Sequence, residues 1–324
     1  SFSGKAFVKL SVPQYGAVYL AANFQHFIYQ GQEGLSGPTA APLQDLFELS
    51  EFHLSFDLNK AVFFRVGDQL IAWGPSVIWT PVDFINTQKV NSQAPVDLRV
   101  GKPGLRVHMP LKNSNIFLFT DFSGTVTGGT VHELLQSTNY GLRWDLTALG
   151  FEFGLTGYLG AEIQNRLGFD WSGRLLSTDL YGEAALALPH GSDELAYAFS
   201  TGLQRTFGDL KDWSLQGEFY YNSAGLDGSP TGPDFVPFYV GRAYAYAGLT
   251  KQNLIGTVLD GTLSGFVNIS DGSCLVSLKG SFDIPKAIPF SVTLNYTGGG
   301  AGKEFTYYTG DNGLSVSVQV RFEF

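Results

Sequence analysis

Apolar and polar residues alternate with a period of two through most of this chain. At the C-terminal end Leu314, Val316, Val318, Val320, Phe322 and Phe324 interleave without a fault with Ser315, Ser317, Gln319, Arg321 and Glu323. Successive side chains of a strand point to opposite sides, so such a segment has one oily and one wet face when extended. Upstream, Phe290, Val292, Leu294 and Tyr296 oppose Ser291, Thr293 and Asn295, and Val276, Leu278, Gly280 and Phe282 oppose Ser277, Lys279 and Ser281. Leu259, Leu263 and Val267 oppose Asp260, Thr262 and Ser264, while Leu215, Phe219 and Tyr221 oppose Ser214, Gln216 and Glu218. Towards the N-terminus Phe151, Phe153, Leu155 and Leu159 oppose Glu152, Thr156 and Tyr158, and Phe52, Leu54, Phe56 and Leu58 oppose Glu51, His53, Ser55 and Asp57. The pattern predicts an all-β chain of antiparallel meander strands.

The oily face has two ways to leave water: against a second sheet, or against lipid in a transmembrane barrel. Segment length separates them. Strands of about 9 to 13 residues suit a tilted bilayer crossing better than the roughly 5 to 6 typical of globular sheets. Short connections at Asn59-Lys60, Lys112 to Ser114, Gly208 to Asp212, Lys251 to Asn253 and Pro285 to Pro289 alternate with long ones around residues 29–45, 71–97, 125–137, 223–236 and 298–311. Short periplasmic turns and long extracellular loops give that alternation. The pattern yields one segment more than an even number. Pro13 interrupts the N-terminal pair and cannot donate a ladder hydrogen bond, so those two segments are counted as one bulged strand. The expectation is a single barrel domain over residues 1–324 with about 16 strands, 14 or 18 being the alternatives.

Composition sharpens this. Only 15% of the 324 residues are charged, while 44% are apolar and 40 are glycine. Globular domains carry about 25% charged residues, so the chain belongs where charge is unwelcome. No apolar run approaches the roughly 20 residues of a membrane helix, which leaves the closed barrel as the spanning solution. The 27 Phe, 15 Tyr and 5 Trp cluster near segment ends, as interfacial girdles require, although strands favour aromatics anyway. A net charge of -9 argues against nucleic-acid binding.

No catalytic or metal motif emerges. His26, His53, His108, His132 and His190 lack zinc-ligand spacing and Cys274 is alone. No serine carries glycine at both the -2 and +2 positions. Gly298 to Lys303 departs from a phosphate loop, with Thr297 in the first glycine's place and Glu304 after the lysine. Neither an enzyme nor a cofactor or metal site is expected.

Two groups carry the functional expectation. The segment 71–97 is too long for a simple connection and is rich in aromatics and turn formers, with Trp73, Trp79, Asp83, Phe84 and Asn86 as candidate constriction residues. It either folds back into or over a barrel mouth or packs on neighbouring loops without touching solute. Inward parity supplies Arg65, Arg106, Arg143, Arg166, Lys279 and Arg321 together with Glu51, Asp57, Asp145, Glu152, Asp170, Glu183, Glu218 and Asp260 as pore-lining candidates. Such groups form structural ion pairs in a filled lumen, or a transverse field around a water-filled one.

The terminal Phe324, closing an alternating strand, resembles the C-terminal strand of Gram-negative outer-membrane β-barrel proteins, where a final aromatic is part of the signal read by the barrel assembly machinery. Arg65, Gly67, Gln69, Trp73 and Gly74 are similar to a pattern preceding inward-folded loops in some porin-like families. The resemblance implies an integral outer-membrane porin allowing passive diffusion of small hydrophilic solutes or ions. Lipid and the assembly machinery are its implied partners, and a homotrimer is compatible with the apolar faces. A transporter for hydrophobic compounds and a surface adhesin or structural barrel with a blocked lumen remain the alternatives. The acidic surplus mildly favours cations.

Overall fold

The computed structural model describes residues 2–12, 16–26, 46–86, 99–124, 130, 133, 137–160, 163–191, 193–228, 239–256, 258–282, 290–307 and 311–320. Among these residues the chain is an antiparallel meander. Its strands are β1 (Phe2–Val12), β2 (Gly16–His26), β3 (Leu46–Leu58), β4 (Val62–Gln69), β5 (Lys102–Pro110), β6 (Ser114–Asp121), β7 (Asn139–Ala148), β8 (Phe151–Leu159), β9 (Arg166–Leu175), β10 (Thr178–Ala187), β11 (Ala196–Phe207), β12 (Trp213–Asn222), β13 (Ala243–Ile255), β14 (Leu259–Asn268), β15 (Ser273–Phe282), β16 (Phe290–Gly298) and β17 (Gly313–Val320). They belong to one 17-stranded sheet. The count exceeds the expected 16 because β1 and β2 are separate, pairing from Phe2↔His26 to Val12↔Gly16. That ladder is complete without position 13, so the missing N–H of Pro13 costs it no bond.

A second difference lies in β13. The expected turn at Lys251 to Asn253 is instead strand, because the ladder to β14 slips between Lys251↔Gly261 and Ile255↔Leu259. Asn253 takes φ 53° in this irregularity, a conformation asparagine tolerates better than most residues. Its amide is satisfied by Asp260 Oδ1 at 2.8 Å. Elsewhere turn chemistry matches the strand twist. Leu149-Gly150 and Leu176-Ser177 are two-residue connections with positive φ at both positions, as a tight hairpin turn of matching twist demands.

The chain forms two compact units: Ser1–Trp73, Asp83–Thr147 and Gly154–Leu167 make up the first, and Gly74–Val82, Ala148–Phe153 and Gly168–Phe324 the second. In the first, Ile71, Trp73, Phe84, Ile85 and Phe119 are buried, and a Cβ placed on Gly141 would stand 2.8 Å from the Trp73 ring. In the second, Ile78, Trp79, Tyr244, Phe266, Leu275 and Phe305 form the core cluster, with Tyr220, Tyr239 and Tyr246 packed against it.

The two faces of the sheet separate as the alternation requires. Leu263, Leu278, Leu294 and Val316 form one continuous cross-strand row of β14–β17, and all are exposed. The next row, on the opposite face, is Thr262, Lys279, Thr293 and Ser317. Hydrogen bonds knit that polar face, with Thr250 and Thr262 hydroxyls 3.0 Å apart and Ser277 Oγ donating to Asn295 Oδ1 at 2.6 Å. Aromatic pairs sit at strand ends, as Phe282–Phe290 (4.6 Å) and Phe207–Trp213 (6.1 Å) show.

Candidate functional site

The segment following β4 is anchored by main-chain amides on carboxylates. Glu183 of β10 accepts the amides of Ser76 (2.8 Å) and Val82 (3.1 Å), and Ser76 Oγ lies 2.8 Å from Ser200 Oγ on β11. Glu218 of β12 accepts the amides of Val77 (3.2 Å), Ile78 (3.2 Å) and Trp79 (2.7 Å) and the hydroxyl of Tyr181 at 3.0 Å. Each of these acids receives several hydrogen bonds, and a buried main-chain amide left without an acceptor is costly. Both stand at positions the alternation predicts to face inward, and both are buried. The indole of Trp79 then stacks on Tyr220 at 5.7 Å and meets the edge of Phe266 at 6.0 Å.

The flanks of this segment are fixed within the first unit. Asn86 accepts the Ile71 amide at 2.9 Å and donates to the Val100 carbonyl at 3.0 Å, while Asp83 pairs with Arg99 at 3.1 Å. Phe84 lies under the guanidinium of Arg166, 5.9 Å from the ring centre. Gln69, fully buried, donates to the carbonyls of Arg65 and Gly104, both at 3.3 Å. The five constriction candidates Trp73, Trp79, Asp83, Phe84 and Asn86 are therefore all buried and held; residues 87–98 lie outside the described part.

Among the wall candidates, Arg143 pairs with Asp145 at 2.7 Å and donates to Thr156 Oγ1 at 3.0 Å. Glu51 pairs with Lys5 at 2.9 Å and accepts the Leu70 amide at 3.2 Å. Asp57 caps its turn by accepting the Lys60 amide at 2.9 Å. Arg65 and Arg106 are ladder partners of β4 and β5, Lys279 stands between Thr262 and Thr293, Asp170 is buried on β9, and Glu152 is exposed on β8. Arg321 and Phe324 lie outside the described residues.

The alternation did not reveal a second docked segment. Glu304, between β16 and β17, accepts the Tyr244 hydroxyl at 2.5 Å, Asn268 Nδ2 at 2.6 Å and the Val240 amide at 3.3 Å. Its own amide donates to Asp271 Oδ2 at 2.8 Å. Phe305 enters the Trp79 cluster through Phe266. A Tyr220, Tyr244, Tyr246 and Phe266 series at inward parity is the signal that could have pointed to it, since aromatics on a nominally wet face need a cover. Burial raises the Glu304 carboxyl above its ordinary range, its donors lower it and nearby Asp271 raises it further. With the folded value raised, the docked state binds more protons than the released one above the ordinary carboxylate range. Docking of this loop is therefore expected to weaken as pH rises through that window, and Glu304→Gln should flatten the dependence. Limited proteolysis between Gly299 and Tyr307 across pH checks it; an unchanged slope in the variant would assign the dependence to another group.

No protein-family model matches the sequence, and no curated protein sequence does either. Solved structures do match in shape. Wzi of Escherichia coli, an outer-membrane protein involved in group 1 capsule assembly and described as a carbohydrate-binding β-barrel, is 12% identical and superposes with a TM-score of 0.57 over 99% of this chain and 78% of its own. A BenF-like porin from Pseudomonas fluorescens is 8% identical, with a TM-score of 0.56 over 98% and 96% of the two chains. OprD of Pseudomonas aeruginosa is 9% identical, with a TM-score of 0.54 over 99% and 93%. At these identities the likeness concerns architecture, and the architecture is shared nearly end to end: the chain has the fold of the large outer-membrane β-barrels.

Proposed function

We propose that this protein is an integral outer-membrane porin through which small hydrophilic solutes or ions diffuse passively. The observation that carries the reading is the seating of Gly74–Val82 on Glu183 and Glu218 at inward-parity positions, which is how a long connection narrows a wide barrel without filling it. Barrels near this strand number enclose an aqueous channel. The Thr262, Lys279, Thr293 and Ser317 row gives that channel a hydrated wall, and the Leu263, Leu278, Leu294 and Val316 row meets acyl chains. Lipid and the assembly machinery are its partners, and the channel works without an energy source or catalytic step.

Reconstitution into planar bilayers tests the proposal. Stable single-channel steps are expected; their absence over a range of voltages would favour a blocked barrel acting through its loops. The lipid assignment has its own check. Leu278, 55% exposed, should not tolerate arginine: Leu278→Arg is expected to cost about 2–4 kcal/mol of folding free energy in vesicles. Ser317→Arg, on the opposite face, should cost far less. Equal costs in denaturant titrations would show that both faces meet the same medium.

A further inference from the structure

Connections far apart in the chain meet at one indole. Trp79, 3% exposed, stacks on Tyr220 at 5.7 Å and is boxed by Tyr239 at 5.7 Å and Tyr244 at 5.8 Å. A buried indole usually finds a partner for its N–H. That of Trp79 has no acceptor among the described residues, so the surrounding rings alone fix its position.

Two of those rings are tied to a single carboxylate. Glu304 accepts the Tyr244 hydroxyl at 2.5 Å and, at 3.3 Å, the amide of Val240, the residue after Tyr239. Tyr239 has φ 75°, a region that bulky residues enter only where their surroundings impose it. The neighbouring amide bond is one such restraint, and the edge contact of Tyr239 with Tyr244 at 5.8 Å is another. Glu304 is itself seated through its amide on Asp271, and Asn268 Nδ2 is the third donor to its carboxylate. Phe305 closes the back of the box through Phe266, which meets Trp79 edge-on. Among the described residues Glu304 makes no hydrogen bond to Gly74–Val82. Its hold on that segment passes through the two tyrosines.

We infer that Glu304 is a positioning residue for Gly74–Val82, and that the two docked connections hold one another. Releasing Gly299–Tyr307 loosens Ser76–Trp79 from Glu218, and releasing Ser76–Trp79 loosens Val240 and Glu304. Coupling carried by packed elements with two arrangements each acts in both directions. The consequence for transport, a passage whose width answers to a connection far away in the chain, rests on the porin reading above. The coupling itself does not.

Hydrogen exchange resolved to single amides, on the detergent-solubilised protein, tests the inference, because exchange of a bonded amide reports its local opening. Glu304→Ala strands three donors, from Tyr244, Asn268 and Val240. It should speed exchange at Ser76–Trp79 roughly tenfold or more, although it touches none of those amides. Glu304→Gln keeps one oxygen acceptor and should give a smaller rise, and it carries the test if the alanine variant does not fold. The Ile71 amide, held by Asn86 Oδ1 at 2.9 Å, should keep its parent rate, which a general loosening of the protein would not allow. Reciprocity requires Glu218→Ala to speed exchange at Val240 and Glu304 by a comparable factor. Parent rates at Ser76–Trp79 in both Glu304 variants, equal acceleration at Ile71, or an effect in one direction only would overturn the coupling. In planar bilayers Glu304→Ala should enlarge the single-channel steps. Coupled exchange in a protein without conductance would remove the porin and leave the coupling. Conductance with independent exchange would remove the coupling and leave the porin.

Discussion

Replacing Glu218 with alanine is expected to free the Gly74–Val82 segment and to raise single-channel conductance. The Glu218 carboxylate is the common acceptor for the amides of Val77, Ile78 and Trp79 and for the Tyr181 hydroxyl. Alanine leaves four donors without an acceptor in a buried place. At roughly 1–3 kcal/mol per unsatisfied group, partly recovered as water enters, the docked arrangement loses on the order of 3–5 kcal/mol. The segment then has little reason to remain seated. Two readouts belong together: larger conductance steps, and a red-shifted contribution of Trp79 to emission, isolated by comparison with Trp79→Phe. Glu218→Gln keeps one oxygen acceptor and should fall between. If conductance stays at the parent level while Trp79 emission shifts, the segment does not narrow the passage.

Gly74→Ala should be nearly as damaging, for two separable reasons. Gly74 has φ 96°, a region that L residues occupy only at a cost of about 1–2 kcal/mol. A Cβ there would also stand 2.3 Å from Glu183 Oε1 and 2.7 Å from Val82 Cγ2. The Glu183 side chain must move, and its bonds to the Ser76 and Val82 amides go with it. A combined loss of roughly 2–4 kcal/mol is expected, measurable as a lower urea midpoint. Gly300→Ala is the control, because its φ is 89° with nothing within 4 Å, so it carries the strain without the collision. Equal midpoints for the two variants would mean that the Glu183 contact contributes little.

The legible part of this molecule is what alternation encodes. β14–β17 follow their sequence because each oily residue has an oily cross-strand partner, Leu278 facing Leu263 and Leu294. Alternation fails where a strand breaks register, as at Lys251 to Ile255, since a slip leaves composition unchanged. It also fails at Pro13, whose effect depends on whether the ladder needs its N–H. The site was half visible. Glu183 and Glu218 stand out as inward carboxylates, but their work as acceptors for main-chain amides has no signature, because every residue except proline offers the same donor. Glu304 was hidden more completely. Its partners Tyr244 and Asn268 are far away in sequence, and a glycine-rich connection gives no reason to look for them.

Anchoring through the main chain has a practical side. Ser76, Val77, Ile78 and Trp79 present amides to the wall, and of these Val77 leaves its side chain 48% exposed. The carboxylate beneath is indifferent to what that side chain is. Residue 77 is thus a position where bulk, polarity or a reporter group can be exchanged while the scaffold that holds it stays in place, which in the channel proposed above would tune the bore separately from the fastening.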